Sequence, residues 1–305
     1  MNTSQITMTT LAGEVEINLA GTGTASINWG DGSESLVHFD DDEDCELHHK
    51  FSDRYEHTIT ITGENTCTAH EVRGITFLNC ELNKITVLDV SRNVALKDLY
   101  CEYNRLTAID VSKNIALRTL SCHVNHLKSL DVRKNTALTN LNFGTNQLTA
   151  LDISKNTALT SLCCGGNQLT ELDVRNNSKL EFLNCLDNQL TTLDVRRNDA
   201  LTVLWCGENK LTELNVSKNK ALKVLHCYNN QLTRLDVSKN TVLTELWCND
   251  NHFTATALNA LFMTMPFVSD CEAFIYENPG TEDCDTCIAE KKGWKVIKES
   301  NHENE

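Results

Sequence analysis

The chain has 305 residues, with 27 Lys and Arg against 42 Asp and Glu, for a net charge of −15. That balance excludes a phosphate-backbone binder, which needs surplus Lys and Arg, and disfavours an anionic membrane surface. Only 2 Pro and 13 Gly occur, so neither a collagen-like chain nor Pro/Gly-rich disorder fits. No apolar run approaches the roughly 18 residues that cross a bilayer. Met1 to Gln5 carry no basic stretch followed by an apolar core, so no signal peptide is expected in this sequence.

Residues 1–72 read as β. Ile6–Thr10, Glu14–Asn18, Ala25–Trp29 and His57–Thr62 alternate with period two between Gly-containing turns, predicting a small antiparallel domain. Ile27-Asn28-Trp29-Gly30-Asp31-Gly32, then His49-Lys50-Phe51 and Tyr55 to Gly63, resemble a PKD-type β-sandwich. Phe51 departs from the Tyr usual in that family, and the acidic insert Asp40–Asp44 interrupts the match. The resemblance implies a spacer or binding module that would also shield the coil after it. Asp40–Asp44 reads as a solvated loop, because its oxygens follow no known calcium-loop spacing. Gly21-Thr22-Gly23 lacks the third glycine and helix of a nucleotide loop and reads as a strand turn. His70-Glu71-Val72-Arg73-Gly74 lacks the second His of a zinc protease helix.

Residues 73–253 repeat every 21 positions, as about nine coils. Leu99, Leu120, Leu141, Leu162, Leu183, Leu204, Leu225 and Leu246 keep that spacing, as do Asn104 through Asn251. A typical unit, Leu180 to Val195, reads L-x-x-L-x-C-x-x-N-x-L-x-x-L-D-V. The pattern resembles the leucine-rich-repeat family, with Cys in place of the second strand Leu. The resemblance implies a solenoid with a parallel β-sheet on its concave face, α+β overall. Leu and Cys should point inward from each short strand, and stacked coils should share one core. The Asn ladder should satisfy backbone groups left open where the chain turns out of the strand. Ser-Lys-Asn segments such as Ser238–Asn240 suit a turn. The Asp ladder from Asp89 to Asp236 reads as a solvated row. The Lys and Arg three residues on, such as Lys134 and Arg197, are expected to offset it.

Of the 14 Cys, Cys80, Cys101, Cys122, Cys164, Cys185, Cys206, Cys227 and Cys248 fall on this grid, and Phe143 fills the missing rung. A position that accepts Phe is core, so these thiols should be buried and reduced rather than metal ligands. Cys284-Asp285-Thr286-Cys287 is a lone C-x-x-C; a disulfide, with Cys271 among the candidates, or simple free thiols both fit.

After Phe253, Ala255–Met263 reads as a helix, Ala273–Tyr276 as a strand, 283–292 as a second helix and Trp294–Ile297 as a further strand. Asn278-Pro279-Gly280, Asp283-Cys284-Asp285 and Lys292-Gly293-Trp294 resemble the C-terminal cap of secreted bacterial leucine-rich-repeat proteins. A small α/β cap over 254–297 follows, with 298–305 as a disordered tail.

No catalytic constellation stands out: there is no G-x-S-x-G and no phosphate loop, and no cofactor or metal is expected. Outward positions of the strands are acidic, with aromatics concentrated in the later coils. Phe182, Trp205, His226, Tyr228 and Trp247, rimmed by Asp187, Glu208, Glu245 and Asp250, form the candidate binding site. The resemblance to internalin-like surface proteins implies a non-enzymatic, secreted or cell-surface bacterial protein binding a host or neighbouring-cell protein. Glycan binding by the Trp/Tyr cluster is the alternative. An enzyme using Cys284 and Cys287 is the third reading.

Overall fold

The computed structural model describes residues 2–39, 44–67 and 72–300. Asp40–Glu43 of the acidic insert, the His70-Glu71 pair and tail residues 301–305 lie outside the described residues. The chain divides into two compact units, Met1–Ala158 and Leu159–Glu305.

The first unit opens with β1 (Asn2–Thr10), β2 (Glu14–Gly21), β3 (Gly23–Asn28), β4 (Glu34–Phe39), β5 (Cys45–Lys50), β6 (His57–Cys67) and β7 (Val72–Arg73). Its coils contribute β8 (Ile75–Asn79), β9 (Ile85–Asp89), β10 (Asp98–Tyr100), β11 (Thr119–Ser121) and β12 (Asn140–Asn142). The strands read from alternation are β1, β2, β3 and β6, whose inward faces carry Ile6, Met8, Ile17, Leu19, Ile27, Ile59 and Ile61, all at most 1% exposed. Pattern reading misses β4 and β5. β5 buries none of its residues, so it has no apolar face to announce it.

One antiparallel sheet runs β4-β3-β6-β1 and ends on β9; the other runs from β5 through β2 to β8. Met8 faces Leu88, and Leu19 faces Leu78. The N-terminal strands therefore complete the hydrogen bonding of the first coil on two of its sides, covering an edge that would otherwise be open. Gly21 is required at this seam: a Cβ there would stand 2.5 Å from the Gly74 carbonyl oxygen. From β8 onward, parallel pairing brings Leu78, Leu99, Leu120 and Leu141 into one buried row.

The second unit stacks β13 (Ser161–Cys163), β14 (Phe182–Asn184), β15 (Val203–Trp205), β16 (Val224–His226) and β17 (Glu245–Trp247) in parallel. Then follow α1 (Ala255–Thr264), β18 (Cys271–Phe274), α2 (Cys287–Glu290) and β19 (Trp294–Ile297). The helix α1 starts where the Thr254 hydroxyl accepts from the Ala257 N–H. The cap carries on the ladder: Leu246 pairs with Ala273, and Ala273 with Val296. Ile275 takes the Cys position, and Asn278 Nδ2 donates to the carbonyls of Cys248 and Ile275 at 3.0 and 2.8 Å. Inserting α1 lengthens this coil, which hid its repeat from a 21-residue grid.

All eight grid Cys and Phe143 are 0% exposed, and the grid thiols are free. Within each unit the ladder Asn bridge successive coils. Asn209 Nδ2 donates to the carbonyls of Cys185, Cys206 and Gly207 at 2.9, 3.3 and 2.9 Å, while its Oδ1 accepts from the Leu190 N–H at 2.9 Å. A second Asn ladder stands on the far side of the coils, where turn chemistry alone is expected. Asn198, Asn219 and Asn240 are fully buried, and Asn219 Nδ2 donates to the carbonyls of Val195 and Asn198 at 2.9 and 2.8 Å.

The Asp ladder is offset from two positions. Asp89, Asp110 and Asp236 are lowered by hydrogen bonds from Ser91, Ser112 and Ser238 and by the expected cations three residues on, Arg92, Lys113 and Lys239. Asp131, Asp173 and Asp194 pair in addition with Arg133, Arg175 and Arg196 two residues on, at 2.8, 2.7 and 2.9 Å. Each also accepts the N–H of that residue, the Asx-turn geometry that starts the turn. These bonds hold the three carboxyls down at about 2.

Candidate functional site

In the second unit the outward side chains of successive strands stand in register. Trp205 on β15 faces His226 on β16, which faces Trp247 on β17, which faces Phe274 on β18. The pleat sends Leu204, Leu225 and Leu246 inward, so these alternating residues must line the opposite face. The Trp205 and His226 rings lie parallel, 5.4 Å between centroids; His226 and Trp247 are 4.9 Å apart, and Trp247 and Phe274 4.4 Å. Phe182 meets Trp205 edge-on at 5.3 Å. Tyr228 flanks the row, 6.1 Å from Trp247 and 6.5 Å from His226. It also lies over Gly207, where a Cβ would come within 2.9 Å of the ring.

The five expected aromatics are thus together, and Phe274 joins them. It was missed because its coil is lengthened by α1; its place beside an ordinary strand was invisible in the 21-residue spacing. The rings are half-buried rather than fully exposed, because each packs on the next. The indole N–H groups of Trp205 and Trp247 are turned down into this packing and have no hydrogen-bond partner.

The carboxylates form two edges. Glu245, on the strand edge, takes a 2.8 Å contact from His226 Nε2. Asp187, Glu208 and Asp250 sit on the other edge, at turn residues with φ of 49, 52 and 49°, a left-handed bend that the neighbouring coil makes with Gly166. Tyr228 donates its hydroxyl to Glu208 Oε1 at 3.2 Å. Burial, then the Glu208 charge, pushes the Tyr228 phenol up to about 12. Burial pulls the His226 imidazole down, against the opposing pull of Glu245, so it is neutral at pH 7.

In the first unit the corresponding face is different. Tyr100 packs on Phe77 at 5.6 Å, and Tyr103 meets His123 edge-on at 4.9 Å. Glu102 is 5% exposed; burial raises its carboxyl, and the nearest His123 nitrogen is 4.0 Å away. Among the described residues, Glu16, Glu46 and His48 bring their donor atoms within 4.8 Å of one another, but all three are exposed. In the cap, Cys271, Cys284 and Cys287 are free thiols. No described helix is long and apolar enough to cross a membrane.

No protein-family model matches the chain, and no curated protein does. Among solved structures it is similar to the functional domain of InlJ from Listeria monocytogenes, which includes a cysteine ladder. Identity is 38% and TM-score 0.65, over 73% of this chain and 48% of that one, so the chain spans about half the length of that relative. An internalin, InlF, of the same species matches at 16% identity and TM-score 0.40, over 77% of this chain and 92% of that one. The leucine-rich-repeat domain of APL1B matches at 21% and 0.48, over 74% and 81%. The 21-residue repeat and the cysteine and asparagine ladders make this chain a leucine-rich-repeat solenoid, one similar to the InlJ domain.

Proposed function

We propose that this chain is a non-enzymatic binding protein, secreted or held at a bacterial cell surface, that grips a protein partner with the aromatic strand face of its second unit. In this reading residues 1–72 act as a PKD-like spacer and shield, the coils over 73–253 carry the site and 254–297 cap them. The observation that carries the proposal is the row from Phe182 to Phe274. Protein interfaces concentrate their energy in a few large aromatics surrounded by a polar rim, and this face has that composition. Clustered rings in partial contact with water also exceed the scattered apolar residues usual on a monomer surface.

The test compares wild type with a Trp205→Ala/Trp247→Ala variant in pull-downs from host and neighbouring-cell extracts, beside a glycan array. Loss of a protein partner, at about 2 kcal/mol or more per anchor, with circular dichroism unchanged, is the expected result. Unaltered capture would move the site off this face. A glycan signal that depends on the two Trp, with no protein partner, would assign the face to sugars instead.

A further inference from the structure

The charge pattern around the aromatic row narrows the kind of partner. Between β13 and β18 no outward position carries Lys or Arg. The carboxylates stand on both edges of the row: Glu245 and Glu272 along the strands, Asp187, Glu208 and Asp250 at the left-handed turn residues. A partner broad enough to cover the rings must also cover at least one of these edges. Carboxylates taken out of water without a counter-charge cost far more than the rings return, so a neutral or acidic partner is penalised by the same contact that buries the aromatics.

The chain itself shows what such an edge accepts. Where the row ends, Lys295 on β19 lies in register with Glu272 and places its Nζ 3.0 Å from Glu272 Oε1. Glu245 meets only the His226 imidazole, and among the described residues no Lys or Arg forms an ion pair with Asp187, Glu208 or Asp250. Aromatic rings beside carboxylates favour a guanidinium over an ammonium, because the planar cation stacks on a ring and still directs paired N–H groups at a carboxylate. Resting on the reading of this face as a protein-binding surface, we propose that it recognises an arginine-bearing segment of the partner. The guanidinium groups stack along the Trp205–His226–Trp247 row and pair with Asp187, Glu208 and Asp250.

A random 12-residue peptide library displayed on phage, selected on the full chain, tests this. The recovered peptides are then synthesised and measured by fluorescence polarisation at low and high NaCl. Binding is compared on wild type, on Trp205→Ala/Trp247→Ala, and on the charge-only variant Asp187→Asn/Glu208→Gln/Asp250→Asn. The last keeps every side-chain shape and both Asn are at home in left-handed turns, so it remains informative should the Trp variant misfold. The expected set is enriched in Arg above Lys and depleted in Asp and Glu. Its members should bind about tenfold or more weakly to the charge-only variant, and lose affinity as salt rises. Peptides that need the two Trp but show no basic enrichment would overturn the arginine proposal and leave the protein-binding face standing. Basic peptides indifferent to both variants would overturn both, since attraction to the net charge of −15 would then explain them. Recovery of no Trp-dependent peptide would likewise overturn both.

Discussion

Asn209 shows how much one side chain holds. It satisfies three carbonyls and one N–H drawn from two successive coils, all buried. Asn209→Ala should strand Leu190 N–H together with the carbonyls, lowering stability by about 2–4 kcal/mol at the 1–3 kcal/mol usual for a buried group left without its partner. Urea denaturation should show a lower midpoint with an unchanged slope; an unchanged midpoint would mean that water replaces the amide. The spacing of the sequence announced this ladder. It did not announce the second one at Asn198, Asn219 and Asn240, because Asn after Ser-Lys or Arg-Arg reads equally well as an exposed turn residue. Only the stacking of coils, which places the preceding turn's carbonyl 2.8 Å away, buries it.

At the scale of an element, the inward face of the strands is a column of thiols. Desolvation pushes Cys122, Cys185 and Cys227 up to about 12, so almost no thiolate exists at pH 8, and the thiolate is the reactive form. Alkylation of native protein at pH 8, followed by peptide mapping, should modify the exposed Cys287 first and leave the eight grid thiols silent until denaturant is added. Rapid native labelling of Cys185 or Cys206 would show that the coils open. The tolerance of this column for Phe143 and Ile275 has the same origin: the position demands volume in a dry interior, not sulfur chemistry. The outward row of the same strands obeys a different rule. Its members need not be apolar for the fold, which leaves the run of rings there free for the binding role proposed above.

For the whole chain, acid should destabilise in two separate ranges. Burial lowers the imidazoles of His123 and His226 below their ordinary value, so the unfolded chain takes up protons first. Stability from these groups is fully present above the unfolded His value near 6.5 and falls as pH drops through the folded values. The Asp131, Asp173 and Asp194 carboxyls, held at about 2, act with the same sign in a lower range: their exposed ion pairs persist through the His range and are lost only as pH falls through the carboxylate range toward 2. Urea midpoints at pH 7.5, 6.0 and 5.0 should therefore decline, and His226→Gln should flatten the decline. An identical pH profile for that variant would show that its ring is solvated. Glu102 works in the other direction, since its raised carboxyl takes a proton more readily when folded.

What the sequence determined alone was everything that follows from period. The 21-residue spacing of Leu, Cys and Asn requires coils whose apolar faces stack, and so places the inward thiols, the first Asn ladder and the aromatic row from Phe182 to Trp247. What the tertiary structure decided has no periodic signature. The unburied strand β5, the pairing of β1 and β2 with the first coil, and the entry of Phe274 into the row depend on partners distant in sequence. So does the pairing of Asp131, Asp173 and Asp194 with the Arg two residues on, because backbone turn geometry brings that side chain back over the carboxylate. A repeat makes local preference and global packing agree; at its ends, and in the turns between coils, that agreement stops and geometry alone chooses the contact.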